Sequence, residues 1–124
     1  MTSILVVDDS PLLHAMFRSV LTAVPGAQVS FAKHGVEALD LIERNGVPSL
    51  VLLDINMPVM DGLELLDELA RRGLRERIPV VIVSTEDKEA DILRGLEAGA
   101  RGYLRKPFTP NELLSIVDKV VNAS

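Results

Sequence analysis

The sequence predicts a doubly wound α/β domain, in which helices cover both faces of a parallel β-sheet. Short, continuous apolar runs rich in β-branched residues are typical of strands buried on both faces. The stretches between them have helical spacing and helix caps, so strands and helices alternate along the chain. With 124 residues there is room for one domain, and we assign residues 1–124 to it.

Five segments have the pattern of strands. Residues 4–7, 50–53 and 80–83 are uninterrupted apolar runs. Residues 28–32 alternate more weakly, and residues 102–105 form a fifth, shorter candidate. Since a helical stretch separates each strand from the next, we expect parallel strands joined by right-handed crossovers.

Three helices are predicted from their boundaries. The first begins at the N-cap Ser10, with proline at the first helical position, and ends at residues 25–26. The second ends at residues 45–46. The third begins at Asp61, followed three residues later by Glu64, which is the pattern of a capping box.

Two more helices complete the alternation. The fourth runs from about residue 87 to residue 98 and ends at Gly99, whereas the fifth begins at the N-cap Thr109, followed by Pro110 and Glu112. The helix residues predicted to face the core are Leu13, Met16, Phe17, Val20, Leu21, Val24, Val36, Leu39, Ile42, Ile92, Leu93, Leu96, Leu113, Leu114, Val117 and Val121.

Composition excludes several classes of function. The net charge of −5 argues against direct binding of nucleic acid. The absence of cysteine excludes disulfide frameworks, thiol catalysis and thiolate metal sites. No apolar run approaches the length of a membrane span, and the first residues lack a basic leader, so we expect no membrane insertion and a cytoplasmic protein.

Polar residues follow four of the predicted strands. They are Asp8 and Asp9 after the first strand, Asp54 after the third, Ser84 after the fourth and Lys106 after the fifth. In a doubly wound sheet the working site lies beyond the carboxyl ends of the strands. Three carboxylates at one edge repel one another unless a cation neutralises them, and oxygen ligands favour Mg²⁺, with Mn²⁺ as a substitute.

This set of residues has the composition of a site that forms an aspartyl phosphate. Asp54 stands alone at the end of a central strand and is the natural nucleophile, whereas Asp8 and Asp9 begin a loop and are better placed to hold the metal. Lys106 would offset charge on the transferred oxygens. Considered alone, the Asp8–Asp9 pair could instead cap the helix that follows it, and Ser84 or Thr85 could cap the next one.

The sequence resembles the receiver domains of two-component response regulators, especially the single-domain chemotaxis type. The matching pieces are residues 7–10, 54–62, 84–86 and 102–108, in the same order and spacing along almost the whole chain. The resemblance implies a flavodoxin-like fold with strand order 2-1-3-4-5. It also implies a receiver domain that takes a phosphoryl group from a histidine kinase or a phosphotransfer protein.

The resemblance also assigns roles to residues. It makes Asp54 the phosphoacceptor and Asp8 and Asp9 the acid pair, with Asp9, Asp54 and the backbone carbonyl of Asn56 binding Mg²⁺. It also implies a cis peptide bond between Lys106 and the proline that follows.

Other residues would carry the response to phosphorylation. The resemblance makes Ser84 the hydroxyl that contacts the phosphoryl oxygens, Lys106 their counter-charge and Tyr103 the aromatic switch residue. Asn56 and Glu86 would tune the lifetime of the acyl phosphate, which we expect to be short. The surface that changes is formed by the fourth helix, the fifth strand and the fifth helix, and it would serve a downstream protein target or a phosphorylation-dependent dimer of an otherwise monomeric protein.

Two other function classes compete with a switch that turns over no external metabolite. An aspartate-based phosphatase of the haloacid dehalogenase type would carry a second acid at position 56, where this chain has asparagine, and would need a cap domain. A flavodoxin-like cofactor binder would need a phosphate-binding loop after the first strand, where the chain has two aspartates. We predict structural or surface roles for His14 and His34, and loop packing for Met57 and Met60.

Overall fold

The computed structural model describes residues 2–55, 59–85 and 89–122. Strands and helices alternate from the first element to the last. The strands are β1 (Thr2–Val7), β2 (Ala27–Ala32), β3 (Leu50–Asp54), β4 (Val80–Thr85) and β5 (Gly102–Lys106). The helices are α1 (Pro11–Leu21), α2 (Gly35–Asn45), α3 (Gly62–Arg71), α4 (Glu89–Glu97) and α5 (Pro110–Val121).

The strands form one parallel sheet in the order β2-β1-β3-β4-β5, which confirms the predicted fold class. The strand order reverses between β1 and β3. The predicted site aspartates lie at the carboxyl ends of these two strands. β3 is buried along its whole length, as expected for a central strand covered on both faces.

Two apolar layers sandwich the sheet, because successive strand residues point to opposite faces. On one face, Val6 and Leu52 pack with Phe17 of α1 and Leu113 of α5. On the other face, alternate residues of β1 and β3 pack with α2 and α3. A smaller cluster joins Ile92 of α4 to Ile82 of β4.

The predicted starts of the first, third and fifth helices are confirmed, whereas the predicted start of the fourth, near residue 87, lies outside the described residues. The Ser10 side chain accepts a hydrogen bond from the N–H of Leu13 at 3.3 Å, and Asp61 and Thr109 each form a capping box with the glutamate three residues later. His34 caps α2, with Nδ1 accepting from the N–H of Glu37 at 3.2 Å, so its role is structural.

The predicted end of the first helix at residues 25–26 is wrong. The helix ends at Leu21 with Thr22 as its C-cap, because the N–H groups that follow bond to carbonyls three residues earlier instead of four. The N–H groups of Ala23 and Val24 donate to the carbonyls three residues earlier, which replaces helix by a tight turn.

Some helix residues predicted to face the core are exposed. Leu93 is 55% exposed, Val36 48% and Met16 36%. Each helix covers only one face of the sheet, and a neighbour one position away is rotated by about 100° around the helix axis. Leu93 follows buried Ile92 and therefore turns away from β4. Leu114 and Val121 are half-buried at the margin of α5.

Candidate functional site at the carboxyl edge of the sheet

Four strand ends bring the predicted site residues together. Asp54 is the last residue of β3, Asp8 directly follows β1, and Lys106 ends β5. Ser84 lies one residue before the end of β4 and faces Arg105 in the register of the two strands. Parallel strands end at a common edge, so residues far apart in sequence meet there.

The carboxylates of Asp8, Asp9 and Asp54 form a compact cluster. Each offers an oxygen atom, and these atoms lie within 4.8 Å of one another. Asp8 and Asp54 are buried, with 2% and 7% of their surface exposed, whereas Asp9 is open to solvent. Buried like charges at this spacing disfavour one another, so the cluster favours a bound cation.

Lys106 lies beside two of the carboxylates. Its Nζ is 3.1 Å from Oδ2 of Asp8, to which it donates a hydrogen bond, and 3.6 Å from Oδ2 of Asp54. The ammonium therefore neutralises part of the cluster, and it stands within reach of any group attached to Asp54. The Lys106–Pro107 peptide bond is cis, as the resemblance implies.

Ser84 presents an unusual polar atom. The residue is 1% exposed, and its Oγ has no hydrogen-bond partner in the part of the chain that the structure describes. A buried hydroxyl without a partner costs about 1–3 kcal/mol. Such an orphaned donor at the edge of an acidic site is suited to a ligand with acceptor oxygens.

A layer of local contacts that we did not predict orients Asp8. The N–H of Ser10 donates to Oδ1 of Asp8 at 2.9 Å, and Nε2 of His14 hydrogen-bonds to the Asp8 carbonyl oxygen. His14 also packs against Phe31, with ring centroids 4.9 Å apart. The sequence offered one indication of this contact, because His14 lies one turn into the helix that follows the aspartates.

The donor set fits a hard divalent cation. Carboxylate oxygens are the preferred ligands of Mg²⁺, which keeps several waters and accepts an incomplete protein shell. Asp8, Asp9 and Asp54 supply such oxygens, and the exposed side of Asp9 leaves the cluster open to solvent.

Comparison with known proteins identifies the family. Residues 4–118 match the family model described as the response regulator receiver domain. The chain belongs to this family. A Campylobacter jejuni relative described as a chemotaxis protein CheY homolog is 37% identical over 118 residues, which cover 95% of this chain and 91% of the relative.

Solved receiver structures share the architecture. The chemotaxis response regulator CheY4 of Vibrio cholerae is 32% identical, with a TM-score of 0.85 over 97% of this chain and 98% of that one. The receiver domain of sensor histidine kinase PA1611 from Pseudomonas aeruginosa is 27% identical, with a TM-score of 0.86 over 98% of each chain. That structure has a magnesium ion coordinated in its active-site cleft.

The remaining predicted residues of this receiver domain do not join the cluster or are not described. Tyr103 lies on β5 with 41% of its surface exposed, three positions before Lys106. Asn56 and Glu86, predicted to tune the lifetime, and Met57 lie outside the described residues. Met60 packs against the core between α2 and α3, as predicted. Among the described residues, no helix has the length and apolar character needed to cross a bilayer.

Proposed function

We propose that this receiver domain is a signalling switch that accepts a phosphoryl group on Asp54 from a histidine kinase or a histidine phosphotransfer protein. The observation that carries the proposal is the convergence at one edge of the sheet of Asp8, Asp9 and Asp54 with Lys106 and with the Ser84 hydroxyl, which has no partner among the described residues. Membership of the family supports the same function.

The transfer is a displacement at phosphorus. A carboxylate oxygen of Asp54 bonds to phosphorus as the bond to the donor's imidazole nitrogen breaks, and that nitrogen keeps the electron pair. The product is an aspartyl phosphate. Lys106 Nζ, 3.6 Å from Oδ2 of Asp54, is close enough to donate to the new phosphoryl oxygens.

Asp8, Asp9 and Asp54 are the residues that would hold Mg²⁺, together with the Asn56 carbonyl that the family resemblance adds. When bound, the ion supplies positive charge that offsets the charge of the carboxylates and the phosphoryl group. We expect Mn²⁺ to substitute because it accepts the same oxygen ligands.

Phosphorylation would shift the protein between two packings. The phosphoryl group brings nearly two negative charges and strong acceptor oxygens beside Ser84, whose buried hydroxyl gains a partner by donating to them. Ser84 would move toward the phosphoryl group to form this bond. Its movement would leave space that Tyr103, now half-exposed, could fill. The surface of α4, β5 and α5 would change, and a downstream protein that binds the changed surface would by linkage favour phosphorylation.

The same site would govern the end of the signal. We propose that the domain catalyses its own phosphorylation and dephosphorylation, with Asn56 and Glu86 setting a short lifetime, and acts on no external metabolite. It would work in the cytoplasm as a monomer or a phosphorylation-dependent dimer.

Intact mass measured after incubation with Mg²⁺ and acetyl phosphate tests the proposal. We expect a gain of about 80 Da that requires Mg²⁺ and decays with time. Asp54→Asn should lose the gain, whereas Asp40→Asn, which changes an exposed aspartate of α2, should keep it. A gain that persists in Asp54→Asn would exclude Asp54 as the acceptor, and a half-life of many hours would contradict the short lifetime.

A further inference from the structure

The loop between Asp54 and α3 carries backbone strain. The structure describes its residues 55 and 59–61, and Val59 there has a φ of 67° with 76% of its surface exposed. The left-handed region costs an L-residue about 1–2 kcal/mol. Such strain persists only where the surroundings over-determine the backbone. Contacts on either side of Val59 must therefore hold the loop.

Two backbone hydrogen bonds fix this loop. The N–H of Gly62 donates to the Ile55 carbonyl at 2.9 Å, so the end of the loop is bonded to its beginning. The N–H of Gly35 donates to the Met60 carbonyl at 3.1 Å. Gly35 is the first residue of α2, where a helix has N–H groups without an intrahelical partner. The start of α2 therefore binds the loop.

A close side-chain contact accompanies the second hydrogen bond. A Cβ atom built on Gly35 would lie 2.6 Å from Cγ and Sδ of Met60 and 2.9 Å from its Cβ. Gly35 is buried, and Met60 packs against the core between α2 and α3. Met60 thus lies directly on the backbone of α2, and only glycine at position 35 leaves room for it.

The start of α3 packs against the backbone of Asp54. A Cβ atom on Gly62 would lie 2.7 Å from the Asp54 carbonyl oxygen, so the start of α3 lies directly against the end of β3. Gly62 follows Met60 by two residues, so the contact of Met60 with Gly35 and the packing of α3 against the end of β3 are close together in the chain.

We propose that Met60, docked on Gly35, is a positioning residue for the acidic site. It holds the described end of the loop, residues 59–61, against α2, so that Asp54 is presented to the bound cation and the phosphoryl donor in a fixed geometry. The inference rests on the proposed function, because it concerns Mg²⁺ binding and phosphorylation at the same site.

Mg²⁺ binding measured by calorimetry tests the positioning role. Met60→Ala should raise the Kd for Mg²⁺ about tenfold, the usual effect of losing a residue that orients a metal ligand. Met60→Leu, which keeps most of the volume, should restore binding. The control is Gly99→Ala, which is strained at a φ of 114° just before β5, at the opposite edge of the sheet, and should lower stability without changing the Kd.

Hydrogen exchange in the metal-free protein gives a second measurement. The Gly62 amide should exchange faster in Met60→Ala than in the parent protein, and its rate should not change in Gly99→Ala. Gly35→Ala should act like Met60→Ala. Its effect on stability should shrink when Met60 is also alanine, since the crowded Cγ and Sδ atoms are then absent.

The outcomes separate the inference from the proposed function. If the parent protein binds Mg²⁺ and gains the phosphoryl mass while Met60→Ala binds Mg²⁺ equally well, the positioning role is wrong and the function stands. If Gly99→Ala weakens binding as much as Met60→Ala, Met60 has only a general structural role. If the parent protein neither binds Mg²⁺ nor gains mass, the proposed function fails together with the inference.

Discussion

Replacing Ser84 by alanine should stabilise the unphosphorylated protein. The Ser84 hydroxyl is buried without a partner among the described residues, and such a group costs about 1–3 kcal/mol. Removing one oxygen atom also forfeits some packing, so we expect a net gain near the lower limit, about 1 kcal/mol. With a urea m-value of about 2 kcal/mol/M, the unfolding midpoint should rise by about 0.5 M.

The assay is urea unfolding followed by far-ultraviolet circular dichroism, with a chelator present. Ser49→Ala is the matched control, because the Ser49 hydroxyl accepts a hydrogen bond from the N–H of Ser3 at 3.0 Å. This variant should lose about 1 kcal/mol. If Ser84→Ala lowers the midpoint as Ser49→Ala does, the Ser84 hydroxyl already has a partner and the reasoning is refuted. After phosphorylation, the parent protein should gain more stability than Ser84→Ala, since only the parent forms the new hydrogen bond.

Three further changes test other parts of the structure. Lys106→Met should destabilise the metal-free protein by about 3 kcal/mol or less, because it removes the ammonium beside Asp8 and Asp54, and Lys106 itself is partly exposed. Mg²⁺ should recover part of this loss in urea unfolding, and an equal loss with and without Mg²⁺ would contradict the electrostatic explanation. Val59→Gly should raise the free energy of unfolding by about 0.5–1 kcal/mol, since relief of the left-handed strain exceeds the entropic cost of glycine; a lower melting temperature would show that Val59 is not strained. Thr109→Ala should lose about 1 kcal/mol with the capping box of α5, and an unchanged urea midpoint would mean that the cap contributes nothing.

The sequence was sufficient to predict the fold because local and global signals agree. The runs in β1, β3 and β4 are continuous and apolar, and each central strand is indeed buried on both faces. The caps at Ser10, Asp61 and Thr109 use side chains whose hydrogen bonds form within one turn, so they can be located from spacing alone.

Other features depend on tertiary contacts and were not visible in the sequence. The exposure of Leu93 depends on how α4 is rotated against β4, and a helical pattern alone does not fix that rotation. The cluster of strand-end residues was predicted. That the Ser84 hydroxyl has no partner in the described part of the chain was not, because it depends on every atom that surrounds the hydroxyl. The bond from His14 to Asp8 and the contact of Met60 with Gly35 likewise join elements whose approach only the folded chain defines.

The position of Tyr103 has a spectroscopic consequence. The chain contains one tyrosine and no tryptophan, so its tyrosine emission, excited where phenylalanine does not absorb, originates from a single ring on β5. With 41% of the residue exposed, that ring is accessible to a soluble quencher such as acrylamide. Emission from the unlabelled protein therefore reports the solvent accessibility of one side chain. Changes around the outer strand β5 can be followed in real time without an added dye.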